Sequence, residues 1–174
     1  MRNQSRDIIE FTLIYNQHKT KLYNYAIKMI YDRMVCDDII QNAFLKLFEN
    51  MDKIKDKDRV LYWLFTTVRN DVYSFFRNKK IRVDQFNVDD SDEIDLLSDY
   101  KIDYDFEQKE MRELIMNELN KMSIGQRDVF LLKEYGGLSY KEIAIMMNVN
   151  EELIKSRLHK TRQKLIRILS PLFK

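Results

Sequence analysis

The sequence is poor in the residues that make turns and cross-links, with 3 glycines, 1 proline and 1 cysteine among its 174 residues. β-Sandwiches and barrels need frequent turn residues, and no segment alternates polar and apolar residues with period two. The composition therefore predicts an all-α fold. The single cysteine, Cys36, excludes an internal disulfide and a multi-cysteine zinc site. We expect it to be a small packing residue near the start of a helix.

Long hydrophobic runs are also missing. No segment approaches the roughly 20 apolar residues needed to cross a bilayer, so we expect no membrane insertion and a cytoplasmic protein. The two histidines, His18 and His159, lie far apart without cysteine or carboxylate spacing to match, so no metal site is predicted. No glycine-rich phosphate loop, nucleophile elbow or catalytic acid pair is present. The sequence thus predicts neither a cofactor nor an enzyme, and we expect His18 to lie on the surface at a helix end.

The charges are strongly segregated along the chain, although the net charge is only +2. The segment from Asp84 to Glu107 contains ten acidic residues and a single base, Lys101. The rest of the chain has 29 basic and 18 acidic residues, a balance of +11. Two basic bodies joined by an acidic connection suit a polyanionic partner.

Helical periodicity divides the chain into two predicted helical domains, residues 1–80 and 105–174, joined by an acidic linker, 81–104. In the first domain, amphipathic helices are predicted over about 7–17, 21–31 and 59–77. Between them lies a core-facing stripe at helical spacing. It consists of Ile39, Ile40, Ala43, Phe44, Leu47 and Phe48.

The C-terminal domain contains the clearest motif, a short capped helix, a tight turn and a basic helix between Leu138 and Leu165. Ser139 and Glu142 form a capping box, and Asn148 occupies the turn because Asn tolerates the left-handed conformation. Asn150 is the predicted cap of the second helix, whose apolar side is Leu153, Ile154, Leu158 and Leu165. This arrangement fits a helix-turn-helix whose second helix enters the DNA major groove. An ordinary helical hairpin with a solvated basic face is the alternative.

The N-terminal domain contains a second constellation. The run Asp37-Asp38-Ile39-Ile40-Gln41-Asn42-Ala43-Phe44 makes a helix whose polar face offers carboxylates and amides to a partner. After a polar loop, the run Tyr62-Trp63-Leu64-Phe65 leads into a helix that mixes aromatics with bases and amides. Such a mixture suits single-stranded nucleic acid, in which bases stack on rings while cations follow the backbone. The alternative is that the aromatics Trp63, Phe65 and Phe75 are simply core.

Together these motifs resemble the bacterial sigma-70 family, and more narrowly its small two-domain extracytoplasmic-function (ECF) group. The resemblance rests on the Asp37–Phe44 run, the Tyr62–Asn70 run and the segment from Gly137 to Arg162, in the right order and spacing. It covers nearly the whole chain except the linker. It implies a sigma factor that binds core RNA polymerase, directs it to promoter DNA and helps to melt the −10 element.

The resemblance also implies roles for individual residues of the N-terminal domain. The polymerase-binding positions are Asp38, Ile39, Gln41 and Asn42, although many relatives have Glu at the position of Asn42. The positions implied for the melted −10 strand are Lys46, Ile54, Asn70, Ser74 and Arg77. A flipped base is expected in a pocket near Ile54 to Asp58, where relatives often have an aromatic residue at the position of Ile54. Taking a base out of the stack costs a few kcal/mol, so this domain needs pockets as well as charge.

In the C-terminal domain, the resemblance places duplex −35 recognition on the basic helix. Lys155, Ser156, His159 and Lys160 match groove-facing positions, while Arg157 and Arg162 are expected to meet phosphates. For His159, hydrogen bonding or stacking on DNA stands beside a merely solvated position. The acidic linker either follows the RNA-exit path of the polymerase as a nucleic-acid mimic, as in relatives, or is a solvated tether.

Two other functions compete with the sigma-factor interpretation. One is an autonomous helix-turn-helix regulator that acts without polymerase, and the other is an adaptor that binds another regulator. A simple repressor normally needs a dimerisation surface to read two half-sites, and the sequence has no heptad seam. A simple repressor also does not need the polar face from Asp38 to Asn42. Exposed apolar faces are expected on both domains. They offer binding surfaces for a further partner, an anti-sigma factor.

Overall fold

The computed structural model describes residues 4–54, 56–86 and 106–173, and within them every regular element is helical. The chain divides into two compact units, Met1–Ser98 (unit 1) and Asp99–Lys174 (unit 2). The all-α prediction is confirmed. Most of the predicted acidic linker lies outside the described residues. None of the helices in the described ranges is both long and apolar enough to span a membrane.

Unit 1 contains three α-helices: α1 (Gln4–Ile30), α2 (Arg33–Asn50) and α3 (Val60–Phe86). Short 3-10 turns at Met51–Lys53 and Lys57–Arg59 connect α2 with α3. Each helix packs against the other two around a common core, in which the rings of Tyr25 and Phe65 meet edge to face at 5.7 Å. Phe65 is fully buried and belongs to the core, so for this residue core packing is the correct interpretation and nucleic-acid contact is not. Trp63 is partly buried.

Two predicted helix boundaries in unit 1 are wrong. The first two predicted helices form one continuous helix, α1, because the polar stretch between them contains no glycine or proline that would end it. The helix predicted to end at Arg77 continues to Phe86. The α1–α2 junction is sharp, since Tyr31 has a positive φ of 59° and Asp32 then caps α2 by accepting from the Val35 N–H at 3.1 Å.

Three individual expectations for unit 1 can be compared with the structure. Cys36 is buried near the start of α2, as predicted, and burial raises the pKa of its thiol to about 12. His18 differs from the prediction, because it lies in the middle of α1 and is half-buried. Burial and then the charge of Lys21 lower the pKa of its imidazole. Phe48 was predicted to be core, yet it is 46% exposed and contacts the ring of Phe11 at 5.3 Å.

Unit 2 contains four α-helices: α4 (Phe106–Asn120), α5 (Ile124–Glu134), α6 (Tyr140–Met147) and α7 (Glu151–Leu169), followed by a 3-10 turn at Ser170–Phe173. Ser123 caps α5 by accepting from the Gln126 N–H at 3.3 Å. After α5 the chain turns through Gly137, whose φ of 70° is a conformation that glycine adopts without steric cost. α7 is the central helix, because it packs against α4, α5 and α6.

Candidate nucleic-acid interface

The helix-turn-helix of unit 2 has the predicted geometry. Ser139 and Glu142 form a reciprocal capping box, with the Ser139 N–H donating to Glu142 Oε2 at 2.7 Å and the Glu142 N–H donating to Ser139 Oγ at 3.1 Å. Asn148 adopts the left-handed conformation, with φ 54° and ψ 48°. Asn150 Oδ1 then accepts from the Leu153 N–H at 2.8 Å and starts α7. The caps at Ser139, Asn148 and Asn150 therefore satisfy backbone groups at the ends of both helices.

α7 separates a buried stripe from a broad exposed face. The buried residues recur at three- and four-residue steps and are Ile154, Leu158, Thr161, Leu165 and Leu169. Of the predicted −35 residues, Lys155, Ser156, His159, Lys160 and Arg162 are exposed and Arg157 is partly buried. Leu153 was predicted on the apolar side, but it is 38% exposed. Thr161, which the sequence analysis missed, takes a core position because its Oγ1 donates to the Arg157 carbonyl at 2.9 Å.

Two basic side chains of α7 that are predicted to contact DNA form ion pairs within the protein. Lys155 Nζ lies 3.1 Å from Glu152 Oε1 and 4.0 Å from Glu151 Oε2. The hydrogen bond to Glu152 raises the pKa of the Lys155 ammonium. Arg162 is bonded to Glu134 at the end of α5, with Nε donating to Oε1 at 3.2 Å and Nη2 donating to the same oxygen. No sequence pattern points to Glu134, because the pairing spans 28 residues and leaves no periodic signal.

In unit 1, the structure places the predicted polymerase-binding residues on two sides of α2. Asp38, Gln41 and Asn42 are exposed, as a contacting surface requires. Ile39 is only 8% exposed and belongs to the core of unit 1. Its side chain therefore helps to hold α2 in position, beside the exposed polar face.

An ion-pair network connects α2 with α3 at the predicted −10 surface. Lys46 Nζ donates to both carboxylate oxygens of Asp71, at 3.4 and 3.2 Å, and Asn42 Nδ2 donates to Asp71 Oδ2 at 3.0 Å. The side chains of Lys46 and Asp71 are 42% and 25% exposed, so the pair is partly shielded from water. Asp71 therefore joins a predicted polymerase-binding residue, Asn42, to a predicted −10 residue, Lys46. The sequence analysis did not assign Asp71 a role.

The other predicted −10 residues are only partly brought together. Asn70 is exposed directly beside Asp71, and one turn further along α3 the Ser74 Oγ accepts from Arg77 Nη2 at 2.9 Å. Asn70, Ser74 and Arg77 thus share one face of α3. Ile54 is partly exposed in the connection between α2 and α3. The predicted base pocket from 54 to 58 includes residue 55, which lies outside the described residues.

Unit 2 also contains an apolar groove beside the helix-turn-helix, with a volume of about 610 Å³. Its walls come from α4, α5, α7 and the final 3-10 turn, and Glu134 and Arg162 contribute its charged part. The remaining lining residues are Met111, Ile115, Phe130, Leu165, Ile166, Leu169 and Ser170. Because Ile166 is 56% exposed, this unit presents an apolar surface as well as a basic one.

Comparison with known families agrees with this two-unit arrangement. The chain matches "Sigma-70 region 2" over residues 14–81 and "Sigma-70, region 4" over residues 112–165. The chain belongs to the sigma-70 family of RNA polymerase sigma factors, in its ECF group. It is accordingly a factor that directs RNA polymerase to promoters, and the family is not enzymatic.

Individual relatives cover most of the chain. It is 26% identical to the ECF RNA polymerase sigma factor SigM of Bacillus subtilis, over 87% of this chain and 90% of the relative. It is 27% identical to the ECF sigma factor SigL of Mycobacterium tuberculosis, over 84% and 81%. Among solved structures it resembles the sigma factor RpoE of Bartonella quintana in complex with the anti-sigma factor NepR. The TM-score is 0.76 at 23% identity, with 92% of this chain and 97% of that chain covered.

A second solved structure, CnrH in complex with the cytosolic domain of CnrY, has a TM-score of 0.62 at 19% identity and covers 92% of this chain and 88% of that chain. At these identities the two structures support the fold. They do not assign roles to individual side chains.

Proposed function

We propose that the two units bind three surfaces of one transcription complex. The exposed face of α2 binds core RNA polymerase, the α2–α3 surface binds the melted −10 strand, and α7 reads the duplex −35 element. In this scheme residues 1–80 and 105–174 are the working domains and the acidic segment 81–104 connects them. The protein acts with the polymerase, in the cytoplasm.

The observation that supports this proposal most strongly is the simultaneous exposure of two unrelated polar faces. The α7 face contains bases at the N-terminal half of a second helix-turn-helix helix, which is where such helices meet base edges. The α2 face presents Asp38 and Gln41 with no role in the core of unit 1. An autonomous DNA-binding regulator needs the first face but has no use for the second.

The side chains that share one face of α3 support binding of the melted −10 strand. Asn70 is exposed beside the Lys46–Asp71 pair, and Arg77 lies two turns further along the same face. An amide that bonds to bases and cations that follow phosphates are the groups expected for a single strand. Asn70→Ala should slow open-complex formation and leave duplex −35 binding intact, as measured by permanganate footprinting. Unchanged footprints would show that the strand lies elsewhere.

In vitro transcription with purified core polymerase tests the proposal as a whole. Adding this chain to core enzyme and a promoter library from the native genome should yield specific transcripts. The variant Asp38→Lys plus Gln41→Ala should abolish them by removing polymerase binding. Glu113→Lys is the matched control, since it makes the same charge change at an exposed position of α4 and should leave transcription unchanged. Specific, tight promoter binding by the chain without polymerase would instead favour the autonomous regulator.

An anti-sigma factor is a second proposed partner. The apolar groove of unit 2 and exposed apolar side chains of unit 1, such as Leu13 (65% exposed) and Leu45 (57% exposed), offer surfaces for it. Two structurally similar sigma factors were solved with anti-sigma factors bound. A pull-down from the native cytoplasm should recover a protein that inhibits transcription by the reconstituted holoenzyme. Recovery of polymerase subunits alone would count against this partner.

A further inference from the structure

Three helices of unit 2 meet at a polar junction around Arg162, two turns after Lys155 on α7. Arg162, in the fourth turn of α7, uses Nε and Nη2 to bind one oxygen of Glu134, the last residue of α5. The pKa of Arg162 is raised first by Glu134 and also by the nearby Tyr140, the first residue of α6. Lys133 Nζ lies 4.7 Å above the ring of Tyr140 and donates to the Leu138 carbonyl at 3.2 Å. The junction therefore joins the end of α5, the start of α6 and the middle of α7.

The Arg162–Glu134 pair differs from the ion pairs on the outer face of α7. The Lys155 pairs connect residues three and four positions apart on one helix, so they do not constrain packing between helices. The Arg162–Glu134 pair connects side chains 28 residues apart, which are 44% and 37% exposed. Two N–H groups on one carboxylate also fix the direction of the guanidinium, which a lysine ammonium would not do. The hydrogen bond to Glu134 raises the pKa of Arg162.

This geometry conflicts with the expected role of Arg162 as a phosphate contact. Glu134 occupies the Nε–H and one Nη2 N–H, so a phosphate would have only the remaining N–H groups of Arg162 and would lie beside a carboxylate that repels it. Displacing Glu134 would also remove a polar contact between the end of α5 and α7, which otherwise pack through apolar side chains. Ser156 and Lys160 lie on the side of α7 that is opposite its buried stripe. In the described ranges neither side chain bonds to another helix.

We propose that Arg162 and Glu134 are positioning residues that set the orientation of the recognition helix, and that Arg162 does not contact the DNA backbone. The inference rests on the proposed −35 function of α7. Loss of the pair lets α7 shift against α5 and α6, so the base contacts of Lys155, Ser156 and His159 weaken together. A phosphate contact behaves differently, because it adds affinity for every sequence and adds about 0.9 to the slope of log affinity against log salt.

The test measures binding of reconstituted holoenzyme to a library with a randomised −35 element, at several salt concentrations. The readouts are the ratio of preferred to unrelated sequences and the salt slope for unrelated sequences. Arg162→Gln should reduce the ratio on the order of tenfold, the scale of one base-reading contact, and leave the slope unchanged. Arg157→Gln is the matched control, and it should lower the slope by about 0.9 while the ratio is kept. If Arg162→Gln instead lowers the slope by that amount and keeps the ratio, the proposal is overturned.

Two further variants keep the test decisive if Arg162→Gln folds poorly by circular dichroism. Arg162→Lys retains the charge and loses the paired N–H geometry, so it should also lose sequence discrimination. The exchange Glu134→Arg plus Arg162→Glu should restore at least half of the discrimination lost by either single change. Full discrimination in Arg162→Lys, or no recovery in the exchange, would overturn the proposal. A wild-type holoenzyme that prefers no −35 sequence would refute the −35 function itself, which is a separate outcome.

Discussion

In unit 2 the side chains predicted to meet DNA stand on one helix, α7, whereas in unit 1 they are divided between α2, α3 and the connection between them. The α7 residues are placed by helix geometry and by caps within a few positions of each other. In unit 1, Asn70, Ser74 and Arg77 share a face of α3, and Lys46 of α2 is brought beside them by its ion pair with Asp71. The predicted recognition helix is thus set up locally, while the predicted −10 surface depends on how two helices pack.

The largest expected effects come from the cores on which both surfaces depend. Leu64→Ala in unit 1 and Leu158→Ala in unit 2 should each destabilise their unit by about 2–5 kcal/mol, because they remove side chains that are 0% and 1% exposed. Urea denaturation measures both, with fluorescence of the single tryptophan, Trp63, reporting on unit 1 and circular dichroism on the whole chain. Leu45→Ala, at a 57% exposed position, is the control and should cost well under about 1 kcal/mol. Equal losses at Leu45 and Leu64 would contradict the core described for unit 1.

A smaller effect tests whether α7 reads bases directly. Lys155→Ala should reduce the preference for one −35 base pair on the order of tenfold, since a single base-edge contact is removed. Competition binding of the holoenzyme to single-position variants of the −35 element measures the change. A loss spread evenly over all sequences would mean that Lys155 meets phosphate only, and the contrast between α7 and the α2–α3 surface would then weaken.

The caps that make unit 2 locally determined should contribute about 1 kcal/mol each. Ser139→Ala removes the hydroxyl that accepts from the Glu142 N–H and should lower the stability of unit 2 by roughly that amount. Thermal unfolding followed by circular dichroism gives the value. Ser139→Thr keeps a capping hydroxyl and should recover most of it, so a loss as large in Thr as in Ala would argue against capping as the cause.

The smallest effect on stability is expected at the packing-dependent network of unit 1. Asp71→Asn removes the charge that holds Lys46 and should cost less than about 1 kcal/mol, because the pair is partly solvated. Binding should respond more clearly than stability. Lys46 becomes available to the phosphate backbone of the DNA. The slope of log affinity against log salt, measured for holoenzyme binding to a single-stranded −10 oligonucleotide, should therefore rise by about 0.7. Lys46→Ala combined with Asp71→Asn is the control, and it should cancel the rise.

Features that depend on a short stretch of chain can be predicted from the sequence. The capping box of Ser139 and Glu142, the left-handed Asn148 and the cap at Asn150 were all predicted and all confirmed. Each requires only residues within three or four positions, so the pattern of side chains states the geometry directly. Helix ends without a cap or breaker were predicted less well, as the continuous α1 shows.

The same reasoning explains the errors at single positions. Leu153 and Phe48 are apolar and lie close to helical stripes, yet both are exposed, Phe48 in spite of its contact with the ring of Phe11 on α1. Thr161 looks polar in the sequence and is buried, since its hydroxyl is satisfied by the backbone of its own helix. Periodicity identifies a face, and packing decides where the edge of that face lies.

By itself, the sequence determined the helical class, the segregation of charge, the helix-turn-helix and the family to which the chain belongs. These depend on composition, on spacing within one helix and on motifs read in order. Tertiary structure alone decided that Asp71 joins Lys46 to Asn42 and that Glu134 holds Arg162. Such pairs form between residues 25 to 29 positions apart. The packing of the helices determines which of these distant side chains become neighbours.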